Sequence, residues 1–170
     1  MLTRITRIFM LYLATLLVLS GCAGGAFGGI GSVTEAVDNQ VVVREVQSFE
    51  RGTSGRPYEI SLTVPEEWVG SFDTVNNGSV VTFRRTDANG YSAPVFYIHV
   101  LNFEQYWMQN GSYPGDYRQL ASVGDTYFVY NAPVESYYSG LGEEEYQEFL
   151  ATVDEVLTTF SVTPLNRRGM

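Results

Sequence analysis

Few side chains in this 170-residue chain have types and spacing suited to chemistry. There is one cysteine, Cys22, and one histidine, His99, and lysine does not occur. Cys22 closes the stretch Leu19-Ser20-Gly21-Cys22, with small residues around it and an apolar run before it. A thiol is the one strong nucleophile there. His99 lies in Tyr97-Ile98-His99-Val100-Leu101. On a two-residue period it shares a strand face with Tyr97 and Leu101, while Phe96, Ile98 and Val100 take the other. A Ser–His–Asp array needs this single imidazole within reach of both a hydroxyl and a carboxylate. No Gly-x-Ser-x-Gly elbow occurs, and a Ser–Lys pair is impossible without lysine. His99 therefore reads as a structural or surface residue and the chain as non-enzymatic, with a hydrolase as the alternative. One imidazole and one thiol fall short of a zinc set. Asp87-Ala88-Asn89-Gly90 starts like a calcium loop but lacks the later ligands, so it reads as a turn. No metal or cofactor is expected.

The surplus lies in the aromatics: twelve Tyr, ten Phe and two Trp. A small β-rich core absorbs most of them. Tyr113, Tyr117, Tyr137 and Tyr138 fall in expected loops, and Trp68 and Trp107 flank short turns or helices. Rigid, amphipathic rings of this kind are enriched at binding surfaces. These six residues form the candidate binding surface, for a protein partner or, alternatively, for a small ligand or cell-wall glycan.

Arg4 and Arg7 precede the apolar run Ile8 to Leu19. At 1.5 Å per residue that run covers about 18 Å, short of the roughly 30 Å hydrocarbon core of a bilayer. A basic start, a short apolar run and small residues describe a secretory signal. The ending Leu19-Ser20-Gly21-Cys22 resembles the lipobox of bacterial lipoproteins. That resemblance implies removal of residues 1–21, a diacylglycerol thioether on Cys22, and usually acylation of the new amine. Two or more acyl chains hold a protein stably on a membrane it does not span. The location implied is extracytoplasmic, on the outer face of the plasma membrane in a monoderm or on the outer membrane in a diderm.

Composition sets further bounds. The net charge is −9, and losing Arg4 and Arg7 with the leader would deepen it. An acidic surface repels nucleic acid and anionic headgroups, so neither is expected as a partner, and the acyl anchor would do the membrane work alone. With Cys22 lipidated no thiol remains for a disulfide or a metal. The chain from Cys22 onward is long enough to bury one core.

The elements that must position these residues follow from periodicity. Residues 22–39, with Gly24, Gly25, Gly28, Gly29 and Gly31, read as a lipidated cysteine and a Gly-rich tether. A single domain is expected over 40–164, with 165–170 as a tail. Val41-Val42-Val43 starts a strand, and Tyr58 to Val64 alternates with Ile60, Leu62 and Val64 on one face. Asn77-Gly78 predicts a tight hairpin turn between the next two strands. Pro94 to Phe103 is the most strongly β stretch, Phe103 to Gln109 reads as a short helix, and Thr126 to Asn131 as a strand. Tyr146, Phe149, Leu150, Val153, Val156, Leu157 and Phe160 fall on one face of a helix that Glu143, Glu144 and Glu145 begin. These elements predict an α+β fold, a twisted antiparallel β-sheet with the C-terminal amphipathic helix packed on one face.

The order of elements supports a further resemblance: Pro65-Glu66-Glu67-Trp68 after a strand, a hairpin, a long strand, a Trp-bearing helix, the Tyr127-Phe128-Val129-Tyr130 strand, and a closing helix that ends in Thr159-Phe160-Ser161-Val162. Over residues 41–163 this is similar to the PsbP-like domains of small bacterial secreted proteins and lipoproteins. The resemblance implies partner binding or stabilisation of an envelope complex, and it carries no metal or halide site to this chain.

Overall fold

The computed structural model describes residues 31–50, 53–87, 89–109, 117–133 and 141–166. Among these, nine strands form two antiparallel sheets accompanied by one long helix. The expected α+β arrangement, one sheet backed by a helix, is thereby corrected to a β-rich, two-sheet fold. The strands are β1 (Val33–Ala36), β2 (Val41–Glu50), β3 (Thr53–Thr63), β4 (Phe72–Asn76), β5 (Val80–Thr86), β6 (Ser92–Asn102), β7 (Arg118–Val123), β8 (Thr126–Asn131) and β9 (Ser161–Pro164). The helices are α1 (Phe103–Gln109) and α2 (Glu143–Thr158), with a 3₁₀ turn at Glu66–Trp68. One sheet runs β1-β4-β5-β6-β8-β7 and the other β2-β3-β9.

The division into two sheets happens at Pro65. Proline ends β3 because it cannot continue a ladder, and the 3₁₀ turn folds Trp68 back into the core. The chain then starts β4 in a different sheet, while β3 takes as its other neighbour β9, a hundred residues later. Such pairing leaves no local mark, because strand periodicity is the same in either sheet.

The six-stranded sheet has an inner and an outer face. Cross-strand partners share a face, so Phe83, Phe96, Ile98, Val100, Phe128 and Tyr130 look inward together. The three-stranded sheet covers part of this face with Val42, Val46, Tyr58, Ile60 and Leu62. The Tyr58 ring meets Phe128 edge-on at 5.3 Å, and its hydroxyl donates to Thr126 Oγ1 at 2.9 Å. Helix α2 covers the rest. It buries Tyr146, Val153, Val156 and Leu157, and it is pinned across the sheet by Arg85–Glu145 at 2.9 Å and Arg118–Asp154 at 2.6 Å. Phe149, on the same helix face, stacks on Trp68 at 5.1 Å.

Two local findings amend the sequence reading. Val33–Ala36, expected in the tether, pairs with β4 as an edge strand, so the fold starts earlier than residue 40. The buried Val37 that follows explains this, since it anchors the segment by donating its N–H to Phe72. The β4–β5 turn is also shifted by one residue. Asn77 and Val80 close it, leaving Gly78 and Ser79 at its centre, with Gly78 at φ 93°. A positive φ at the first central position is what a primed hairpin turn demands of glycine. The β2–β3 hairpin makes a different demand. A Cβ on Gly55 would lie 1.6 Å from the Ser48 carbonyl oxygen, beside the bulge at Gln47/Phe49, so this close approach needs a bare backbone.

The registers also give the molecule two ends. Val33, the turn at Gly78-Ser79, Asn102 with α1, and the Gly124-Asp125 turn lie at one end of the six-stranded sheet. Tyr58 and Pro164 join them there, because Tyr58 bonds Thr126 and pairs with Pro164. The opposite end carries Ala36, the Glu66–Trp68 turn, Asp87 and the first turn of α2. No helix among the described residues is long and apolar enough to cross a membrane.

Candidate functional site

The outer face of the six-stranded sheet gathers the residues of interest. Strand β6 presents Tyr97, His99 and Leu101 there, and β8 presents Tyr127, Val129 and Asn131 beside them. His99 Nε2 lies 2.6 Å from Asn131 Oδ1. An amide oxygen only accepts, so Nε2 carries the proton, and the Asn131 amino group donates to the Ala132 carbonyl at 3.4 Å. The Tyr117 ring meets the imidazole edge-on at 5.7 Å, and Tyr97 lies 6.0 Å from it. Burial holds the His99 pKa below the ordinary histidine value, and the bond to Asn131 opposes that shift. Among the described residues, the imidazole thus faces an amide and two rings. A hydroxyl or carboxylate neighbour is what a nucleophilic array would require.

Helix α1 roofs one end of this face. It starts with a reciprocal cap: Asn102 Oδ1 accepts from the Gln105 N–H at 2.8 Å, and Gln105 Oε1 accepts from the Asn102 N–H at 3.0 Å. This satisfies two groups that a helix start otherwise leaves unpaired. The cap turns the chain out of β6 at Asn102 and lays Tyr106 flat on Tyr127, 4.2 Å between centroids and 6° between planes. The Tyr106 hydroxyl donates to Gln119 Oε1 at 3.0 Å. Phe103, Trp107 and Met108 remain exposed, at 53%, 57% and 68%. Phe103 and Trp107 are neighbours, with centroids 6.0 Å apart.

Of the six proposed binding-surface residues, the structure brings Trp107 and Tyr117 to this face. Trp68 is a correction. It is 4% exposed, sits on the opposite side of the sheet, and stacks on Phe72 at 4.5 Å. Its place in a Pro-x-x-Trp turn pointed inward because the flanking Glu66 and Glu67 take the solvent side. Tyr113, Tyr137 and Tyr138 lie outside the described residues, as do Leu19, Ser20, Gly21 and Cys22. Tyr106, Tyr127 and Asn131 were not singled out from the sequence. The alternation of Tyr127, Val129 and Asn131, and the Asn-x-x-Gln spacing at 102–105, were the signals for them.

Asp87 accepts the backbone N–H groups of Asn89 and Tyr91, each at 2.8 Å, and Gly90 has φ 81°, which is turn geometry. The Tyr91 bond, foremost, holds the Asp87 carboxyl below its usual range. No cluster of three or more His, Cys, Asp or Glu suited to a metal occurs among the described residues. A recess of about 550 Å³ opens between the edges of the two sheets, lined by Arg56, Pro57, Tyr58, Val123, Pro164 and Leu165. It is mainly apolar, with one guanidinium.

Compared with known proteins, the chain matches no family model, no curated protein and no solved structure.

Proposed function

We propose that the chain is a membrane-anchored cell-envelope lipoprotein whose folded domain binds a protein partner or stabilises a complex, and that it catalyses no reaction. The anchor is supported by Leu19-Ser20-Gly21-Cys22 behind a basic, apolar leader. The observation that carries the binding role is the outer sheet face. Tyr106 is held there by its stack on Tyr127 and its bond to Gln119, and Tyr97 and Tyr117 flank His99, which bonds Asn131, so these rings have less rotamer entropy to lose on binding.

The test is a photo-crosslinking amino acid placed at exposed Gln119 on that face, and as a control at exposed Thr163 on β9, in cells of the native host. The expected result is one discrete adduct from Gln119 and none from Thr163. Equal or absent adducts at both positions would contradict the reading. A second reading, a small-ligand-binding lipoprotein, draws on the recess beside Arg56. About 550 Å³ suits a small molecule, and the apolar lining with one cation fits an anionic amphiphile better than a glycan. Loss of a co-purifying ligand on Arg56→Glu would favour it.

A further inference from the structure

The two ends of the domain differ in chemistry, and the difference matches the direction from which an N-terminal anchor would arrive. The described chain enters at Val33, which is 53% exposed and pairs with Asn76 at one end of the six-stranded sheet. Strand order β1-β4-β5-β6 puts three inter-strand steps, roughly 15 Å, between Val33 and the strand that delivers α1 at the same end. There α1 turns Phe103, Trp107 and Met108 to the surface, with Phe103 and Trp107 side by side, on an acidic protein. Arg56 lies at this end too, beside Tyr58, and the acids here are Glu45, Glu59, Glu104 and Asp125, fewer than at the far end. The far end holds Glu66, Glu67 and Asp87, and Glu143, Glu144 and Glu145 begin α2 there.

We infer that this end is a membrane-facing surface, and that Phe103 and Trp107 seat in the headgroup region of the bilayer carrying the anchor. The inference rests on the lipoprotein reading. Ten residues separate Cys22 from Val33. Whatever their conformation, they span at most about 40 Å, so the domain cannot leave the membrane's vicinity. Rotation about that short attachment brings α1, roughly 15 Å to the side, to the lipid. An indole favours the interface, where its apolar body and its N–H are both satisfied, and a neighbouring phenyl adds apolar area to bury there. The acidic pole then points away from the membrane, which lowers its repulsion from lipid phosphate. Tyr106 on the inner side of α1 is tied to Gln119 and Tyr127, so the patch is presented rigidly.

The chain has two tryptophans, and they report separately, because Trp68 is buried and Trp107 exposed. The full-length protein, matured in a bacterial host, is reconstituted into phosphatidylcholine vesicles with and without bromine-labelled acyl chains. Flotation reads the anchor, and quenching reads the patch. The expected result is co-flotation with quenching of one of the two tryptophans, and Trp107→Phe, which leaves the core untouched, removes the quenchable component while flotation persists. Co-flotation without quenching would overturn the inference and leave the lipoprotein reading intact, with the patch then open to a protein partner. Failure to float would overturn both.

Discussion

Strand β6 divides the molecule. On one side Phe96, Ile98 and Val100 are fully buried, stacked or packed against Phe83, Tyr130 and the second sheet. On the other, Tyr97 and His99 keep partial exposure and lean on polar partners and rings. The same backbone, alternating by one residue, therefore serves two purposes. The inner side holds the fold by burial, and the outer side holds rings in place without sealing them off. The difference teaches that stability and the proposed recognition are separable here, residue by residue.

The strongest way to break this comparison is on the inner side. Phe96→Ala should cost about 3–5 kcal/mol, because the vacated volume faces Phe83, Trp68 and Tyr130 in a packed core. Urea denaturation monitored by circular dichroism measures it. A cost equal to that of outer-face variants would erase the distinction.

Titration gives the next effect, with opposite signs from His99 and Tyr130. His99 has a lowered pKa in the fold, so the unfolded chain takes up a proton more readily. Its contribution to stability is complete above the ordinary value of 6.5 and is lost as pH falls below it. The Tyr130 phenol on the inner side is pushed up to about 12, chiefly by burial, against an ordinary 10.0. The unfolded chain loses that proton first, so stability declines as pH rises above 10.0. Melting temperatures across pH should fall at both ends. His99→Gln should soften the acid decline and leave the alkaline one, and Tyr130→Phe should soften the alkaline decline, to which Tyr97 and Tyr146 also contribute.

Smaller effects sharpen the outer side. Tyr106→Phe removes the hydroxyl that meets Gln119 and should cost about 0.5–1.5 kcal/mol while keeping the ring stack. Trp107→Ser should change folding stability by no more than about 0.5 kcal/mol, as expected for an exposed side chain without a structural task. Both are read from the same denaturation curves.

Much of the local structure was legible beforehand. The alternation in Tyr58 to Val64 and in Phe96 to Val100, the helical face from Tyr146 to Leu157, and the short helix at Phe103–Gln109 all appear where periodicity puts them. What periodicity does not carry is which strand pairs with which. The β3–β9 pairing joins Ile60 to Val162 across the length of the domain, and this turned an expected single sheet into two. Edge strands were also hard to see. Val33–Ala36 and Arg118–Val123 are short and mostly exposed, so they show little apolar patterning. At the site, the sequence placed Tyr97 and His99 on one face correctly, because a strand leaves no choice. It misplaced Trp68, because a turn residue's direction depends on what lies beneath it, here Phe72 and Phe149.

The inward-looking core explains how the domain stands, and the proposed roles of the outer face and of the Val33 end both assume a domain held at a membrane. That use depends on Cys22. The most direct measurement is the intact mass and N-terminal peptide of the protein extracted from membranes of its own cells. The account predicts a chain that begins at Cys22 and carries a diacylglycerol thioether, with residues 1–21 gone. A chain that retains the leader, or one cut elsewhere with a free Cys22 thiol, would contradict it.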